Sequence, residues 1–377
     1  MLAQTPPMGW NSWNTFGTDI NEQIVMETAD AIVRLGLDKA GYKYVGVDDG
    51  WSAKDRDPVT GRIVPDPVKF PHGMKYVADY VHSLGLKFGI YSCAGLRTCA
   101  GLPASLDHEY LDAQTFADFG ADLLKYDGCF IPPNIDIHTL YRRMGMALKT
   151  TGREILFSLC TGDISRQWAR EVGGHMYRST GDISDSFESY KNILMAQDQN
   201  FCYSAPGCFN DLDMLTVGMY GKGLVSTSSF SDVEYRAQFG MWCMFGTPLM
   251  LGCDVRTLSE DMLELITNKT LLRINQDPEC RPPYRAAHLG YQNFDKNIYF
   301  KHLSDNEYAI AYFNYSNGWA DVHTYIPDFG LTNESGMGLE ITDAFTGECL
   351  GVFKEYFVAP HVLSHGVNIY TAKVVKI

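Results

Sequence analysis

The apolar positions of this chain recur with two alternating periods. Short runs that read as buried strands are each followed by a longer stretch in which apolar residues return every three or four positions, as they do on one face of a helix. The first run is Met8-Gly-Trp-Asn-Ser-Trp13; residues 21–41 follow, with Ile24, Ala31, Ile32, Leu35 and Leu37 on one stripe and Gly41 as a stop. Residues 42–51 and 85–91 give the second and third strands, with a helix over 73–84 between them and another over 106–119 after them. The fourth strand lies in Ala121-Asp-Leu-Leu-Lys-Tyr-Asp-Gly-Cys129, an apolar run that ends abruptly in charge. A period of two places Leu123, Lys125 and Asp127 on one face and Leu124 and Tyr126 on the other. The alternation continues through helix 137–150, strand 154–160, helix 164–172, strand 175–180 and helix 184–197. A segment over 205–215, helix 231–244, strand 248–253 and a last helix over 259–275 complete it.

Eight strand-then-helix units within residues 1–279 match the order and size of an α/β fold of the (β/α)8 TIM-barrel kind, which builds its site at the C-terminal ends of the strands. An open doubly wound sheet is the rival, but no Gly-x-Gly-x-x-Gly follows the first strand. Beyond Asp277-Pro-Glu-Cys-Arg-Pro-Pro283 the prolines cluster and the helical period stops. Runs at 297–302, 307–313 and 366–371 alternate, with turn residues at 305–306 and 314–318. Residues 280–377 therefore read as a C-terminal antiparallel β-sandwich, expected to close one side of the barrel and to carry no chemistry.

Composition changes this picture mainly by exclusion. With 45% apolar and 20% charged residues the chain is an ordinary globular one, and a net charge of −14 speaks against nucleic acid as a partner. The longest apolar runs, such as residues 239–251, are too short and too interrupted for a membrane span. Residues 1–7 show neither a basic start nor an apolar signal core, so the expected location is cytoplasmic, and a homo-oligomer is compatible with the sequence. Ten cysteines are scattered without a Cys-x-x-Cys pair, and no histidines have zinc-ligand spacing. No metal or other cofactor is called for, and most cysteines read as reduced, buried and small. Three Asn-x-Ser/Thr sequons, at Asn268, Asn314 and Asn333, read as chance.

The polar residues gather where a barrel keeps its chemistry. Asp48 and Asp49 end the second strand, Tyr91 the third, Asp127 the fourth and Cys160 the fifth; Arg178 and Asp182 follow the sixth, Asp211 and Asp213 lie in the seventh, and Asp254 follows the eighth. Trp13 and Trp51 add two aromatic plates. Carboxylates and amines suit vicinal hydroxyls, and an indole face suits the C–H face of a sugar, so carbohydrate is the natural substrate. Cleaving a glycosidic bond needs two carboxyls in different protonation states. Asp127, beside Lys125, should stay ionised as the nucleophile; Asp182 should be the acid, the Asp127 charge raising its pKa and Arg178 opposing the rise, a balance that the sequence leaves open. The blander readings make Lys125 and Asp127 a structural ion pair, and Asp48-Asp49 with Asp211 and Asp213 hard-cation ligands of a sugar isomerase or aldolase. His175 and His302 read as ordinary histidines.

The chain resembles glycoside hydrolase family 27, the family of α-galactosidases and α-N-acetylgalactosaminidases, over essentially its whole length. The motifs are Met8-Gly-Trp-Asn-Ser-Trp13, Val47-Asp-Asp-Gly-Trp51, Gly89-Ile-Tyr91, Asp112-Ala-Gln-Thr-Phe116, Leu124-Lys-Tyr-Asp-Gly-Cys129, Arg178-Ser-Thr-Gly-Asp-Ile183 and Asn210-Asp-Leu-Asp-Met-Leu215, in the right order. The resemblance implies a retaining exo-glycosidase acting on a galactose-type oligosaccharide or glycoconjugate, with Asp127 as nucleophile and Asp182 as acid/base. It also implies that Trp13, Asp48, Asp49, Tyr91, Lys125, Arg178 and Asp213 line the sugar site: Asp48 and Asp49 against the 4- and 6-hydroxyls, Lys125 against the 3- and 4-hydroxyls, Arg178 near the 2-position. Cys99 and Cys129 match a pair often bridged in secreted relatives; a cytoplasmic location would disfavour the bridge, and the sequence leaves it open.

One stretch departs from the pattern. Similar α-galactosidases carry an acidic or amide residue and a tryptophan behind the fifth-strand cysteine, against the 2-hydroxyl, whereas this chain reads Ser158-Leu-Cys-Thr-Gly-Asp163. Small residues at Thr161 and Gly162, beside Cys160, leave room for a 2-acetamido group unless Asp163, Arg166 or Trp168 restores the contact. The sugar is therefore expected to be α-galactose, with α-N-acetylgalactosamine and β-L-arabinopyranose as alternatives on the same scaffold and a catalytically silent sugar-binding protein as a further one.

Overall fold

The computed structural model describes residues 2–199, 203–227, 230–286 and 296–377. Among them the eight barrel strands are β1 (Met8–Asn11), β2 (Tyr44–Gly46), β3 (Lys87–Cys93), β4 (Leu123–Asp127), β5 (Leu156–Cys160), β6 (Met176–Arg178), β7 (Phe209–Asp211) and β8 (Leu249–Leu251). They form one parallel sheet in the order β7-β6-β5-β4-β3-β2-β1-β8. The ring is drawn shut just beyond β7, where Leu215 bridges Leu251 in parallel and its N–H donates to the Met250 carbonyl at 2.8 Å. The expected (β/α)8 barrel is thus present.

Burial follows the period of two. Inside the ring Tyr44, Leu123, Leu156, Met176, Met214 and Met250 form an apolar plug under the strand ends, while Leu124 and Tyr126 point outward into the larger core shared with the helices. The helices start where local chemistry says they should. Asn21 accepts from the Ile24 N–H to open Glu22–Arg34, Asp136 caps Ile137–Thr150, and Ser231 with Glu234 makes a reciprocal capping box on Asp232–Phe245.

Three helix expectations need correction. Residues 21–41 are two helices, Glu22–Arg34 and Leu37–Ala40, because Gly36 takes φ 72 and breaks the ladder. Residues 164–172 are not an α-helix: a 3-10 turn, Gly162–Gln167, is followed by irregular chain that lays Trp168 on the His138 ring and edge-on to Tyr141. Trp168 therefore packs on the outside of the barrel. The last expected helix is likewise split into Glu260–Ile266 and Lys269–Asn275, the second started afresh by Asn268.

After Asn275 the chain turns to antiparallel strands: β9 (Tyr284–Arg285), β10 (Lys296–Leu303), β11 (Glu307–Asn314), β12 (Ala320–Tyr325), β13 (Met337–Asp343), β14 (Cys349–Phe353), β15 (Tyr356–Val362) and β16 (Val367–Lys376). Six of them pair in the order β14-β13-β16-β11-β10-β9, and β12 pairs with β15 to face that sheet across a core that includes Phe300, Ile310, Leu339, Phe357 and Tyr370. The opposite face of the six-stranded sheet, through Ala309, Ala311, Phe313, Val367 and Ile369, belongs to the barrel's own core and lies on the helix Asp232–Phe245. Arg281 and Lys301 knit the junction, with the Lys301 ammonium, fully buried, donating to the Arg281 carbonyl at 2.7 Å. Among the described residues no helix is long and apolar enough to cross a membrane.

Candidate active site

At the C-terminal ends of the strands one pocket is lined by Trp13, Asp48, Asp49, Tyr91, Lys125, Asp127, Cys160, Arg178, Asp182 and Asp213. Asn14, Cys99, Met214 and Val225 line it as well. Wider clefts of about 570 and 480 Å³ lie on the sandwich, but neither gathers the strand-end groups. The chemistry is in the smaller pocket.

Its floor is a set of fixed ion pairs. Lys125, on the inward face of β4, donates to Asp48 Oδ2 at 2.7 Å, and Asn11 donates to the same oxygen at 2.7 Å. Burial opposes the charge of Lys125, but the Asp48, Cys160 and Asp127 groups around it outweigh burial and raise its pKa, so it stays an ammonium. The ion pair of Lys125 is therefore with Asp48, and not with Asp127 as the blander reading had it. Asp49 accepts from the Gly50 N–H and from the Ala100 N–H, both at 2.8 Å, and burial raises its pKa. Arg178, also buried, bonds Asp182 Oδ1 at 3.0 Å and Asp213 Oδ2 at 3.0 Å, and its Nη1 lies 3.7 Å from Cys160 Sγ. Asp213 itself sits at φ 76 and also accepts from the Ile183 N–H at 2.7 Å, which ties the loop after β6 to the loop after β7. Behind it Asp211 is buried, and burial pushes its carboxyl up to about 6 against the pull of Arg178.

The two carboxyls read as catalytic are held in opposite ways. Asp127 is half-buried at the end of β4, with Oδ1 accepting from the Gly128 N–H at 2.8 Å and Oδ2 from the Tyr91 hydroxyl at 3.1 Å. Burial raises its pKa while Lys125 and these donors pull the other way. Asp182 stands out from the loop after β6 with its side chain 83% exposed. Partial burial raises its pKa, but the charges of Arg178 and Lys125 and the Arg178 hydrogen bond win, and the net direction is down. The balance that the sequence leaves open is thus decided by Arg178, which touches Asp182 directly.

Three expected features are placed differently. Trp51 is buried beneath the site, donating to the Tyr91 carbonyl at 2.9 Å and packing edge-on against Phe116 and Phe119, so Trp13 is the aromatic plate of the pocket. Thr161 does not line it. Cys160 is the last residue of β5; the following 3-10 turn, with Gly162 at φ 65, takes the Thr161 hydroxyl back to the Gly162 carbonyl at 3.4 Å. Asp254 pairs with Arg256 outside the pocket. The Asp163 side chain and Cys202 lie outside the described residues. Cys99 and Cys129, a pairing that the sequence leaves open, form a disulfide with Cα atoms 5.4 Å apart. Neither the Asp48-Asp49 nor the Asp211 and Asp213 pair finds a third ligand among the described residues. Sequence reasoning passed over Asn14, Met214 and Val225: Met214 was inside a quoted motif, whereas nothing marked Val225, which arrives on a distant loop.

A parallel barrel that brings separately held carboxylates, a lysine, an arginine and an indole into one pocket at its strand ends is the framework of a glycosidase. The profile of the Alpha galactosidase A family matches residues 5–277. An α-galactosidase of Cyamopsis tetragonoloba is 42% identical over 333 residues, covering 88% of this chain and 77% of that one. α-Galactosidase I of Mortierella vinacea superposes with a TM-score of 0.91 at 33% identity, covering 98% of this chain and 97% of that one. The α-galactosidase of Saccharomyces cerevisiae solved with raffinose superposes with a TM-score of 0.90 at 28% identity over 99% and 98% of the two chains. The chain belongs to the α-galactosidase family, glycoside hydrolase family 27.

Proposed function

We propose that this glycosidase removes terminal α-linked galactose from oligosaccharides or glycoconjugates by double displacement, through a covalent glycosyl-Asp127 intermediate. The observation that carries the reading is the unequal holding of two carboxyls on one pocket: Asp127 fixed from two sides at the floor, Asp182 exposed at the mouth. A nucleophile needs a fixed lone pair, and an acid that later serves as base needs access to water. The relatives, including the yeast enzyme with raffinose, support galactose as the sugar.

In the first step Asp127 attacks the anomeric carbon while Asp182 gives its proton to the departing oxygen. In the second, Asp182 takes a proton from water, which displaces Asp127 and frees the sugar. Arg178 and Lys125 outweigh burial and hold the Asp182 carboxyl below its usual range. A bound sugar covers it, strengthens the burial that raises it, and prepares the proton it must give. Lys125, Asp48 and Asp49 then meet the hydroxyls of the non-reducing sugar and hold the anomeric carbon over Asp127.

The test is the anomer released first, followed by proton NMR. The α-anomer from an α-galactoside supports the proposal, and a β-anomer rules out Asp127 as nucleophile. Asp127→Asn should remove nearly all turnover of the same substrate.

A further inference from the structure

The Cys99–Cys129 disulfide lies against the floor of the pocket. Cys99 Sγ is 3.5 Å from Asp127 Oδ2 and 3.3 Å from the Tyr91 hydroxyl, and the ligand atoms of Cys99, Cys129 and Asp127 all lie within 4.8 Å of one another. A tetrahedral zinc ion with thiolate at about 2.3 Å and carboxylate oxygen at about 2.1 Å sets sulfur and oxygen roughly 3.6 Å apart. The Cys99–Asp127 edge already has that spacing. Cys99 is exposed and lines the pocket, so the bridge is open to solutes. The neighbouring sulfur of Cys93 is buried and engaged with the Cys129 backbone, donating to its carbonyl at 3.3 Å and accepting from its N–H at 3.0 Å.

We propose that Cys99, Cys129 and Asp127 form a latent soft-metal site, opened by reduction of the bridge, that binds one zinc ion and switches the enzyme off. A dithiol reductant is oxidised to its disulfide as the Cys99–Cys129 bond breaks and takes up two electrons and two protons. Zinc then releases both thiol protons and binds two thiolates and the Asp127 carboxylate, with water in the fourth position on the pocket side. Two sulfurs select zinc or cadmium over magnesium or calcium. The ion takes the lone pair with which Asp127 would attack, so the inhibition rests on the proposed role of Asp127, whereas the binding does not. Chelation or reoxidation restores activity.

The experiment uses the full chain in a Cys349→Ser background, because Cys349 is the exposed free cysteine among the described residues. The protein is reduced with a phosphine, which does not chelate zinc as a dithiol would, and near-ultraviolet circular dichroism establishes that it is still folded. One equivalent of zinc should then bind, cobalt should give a thiolate-to-metal charge-transfer band, and hydrolysis of p-nitrophenyl α-galactoside should fall by about tenfold or more, reversed by a chelator. The oxidised protein should show neither binding nor inhibition. Asp127→Asn, reduced, should keep the cobalt band but bind zinc about tenfold more weakly. Loss of tertiary signal on reduction, absence of the band, or zinc binding without inhibition overturns the proposal. The last outcome leaves the nucleophile to be judged by the released anomer.

Discussion

Lys125 donates to Asp48 across the barrel floor and not to Asp127 two residues along its own strand. Strand periodicity placed Lys125 and Asp127 on one face, but residues two apart in a strand are separated by about 6.7 Å, and the shorter reach is to the end of β2. Which strand end lies within reach is a property of ring closure, invisible along the chain. The pair is largely buried, with side-chain exposures of 17% and 2%. Lys125→Met would leave Asp48 charged and stranded, and should cost about 3–5 kcal/mol in denaturant unfolding. Lys125→Met with Asp48→Asn should recover part of that loss. Trp51 failed as a sugar plate for a similar reason, since its neighbours Phe116 and Phe119 come from a helix some sixty residues on. The strand-end residues were legible because the barrel rule gives every such position the same address.

Asp182 carries a pH prediction. Its pKa is lowered in the free protein and should rise when sugar covers it. Because the acid must be protonated, activity is lost as pH rises through that pKa. The basic limb of kcat/KM, which reports the free enzyme, should therefore lie at lower pH than the basic limb of kcat, which reports the complex. Coincident limbs would remove the argument that substrate burial prepares the proton.

At the scale of elements, helices with a cap and an uninterrupted stripe were legible to within a residue or two, as Ile137–Thr150 and Asp232–Phe245 are. Those that failed were interrupted: Gly36 cut one stripe, Asn268 started a new helix inside another, and residues 162–167 tighten into a 3-10 turn. The partners β12 and β15 went unread, because their alternation is short and their pairing spans a long intervening stretch. The loops at the strand ends have their own constraint. Gly50, next to Asp49, adopts φ 97, and a Cβ there would come within 2.8 Å of Thr18 Cα. Gly50→Ala should lower stability by about 2 kcal/mol through backbone strain, and more through the clash; thermal unfolding measures it. The Gly50 N–H holds Asp49, so KM should rise in the same variant.

For the whole molecule, Lys301 joins the two layers at an electrostatic cost. Burial lowers its pKa from 10.5 to about 8, with Asp277 opposing. A base with a depressed pKa binds fewer protons folded than unfolded, so stability should rise with pH between about 8 and 10.5, by roughly 3 kcal/mol if this group acts alone. Below about pH 8 the penalty is present in full. Comparing Lys301→Met with the parent by denaturant unfolding at pH 7 and pH 10 isolates the effect: the advantage of the methionine variant should shrink at the higher pH. An unchanged difference between the two proteins would mean that Lys301 is not titrating in this window.

β16 lies between β13 and β11 at the centre of the six-stranded sheet, and the same strand faces the helix Asp232–Phe245. On the ribosome this gives the chain an awkward timetable. The barrel strands are all made by residue 251, yet the outer face of that helix has no cover, and the sheet that supplies it has no middle, until residues 367–376 have emerged. A nascent barrel must wait through more than a hundred further residues with apolar surface in water, a period in which chaperone capture or aggregation competes with folding.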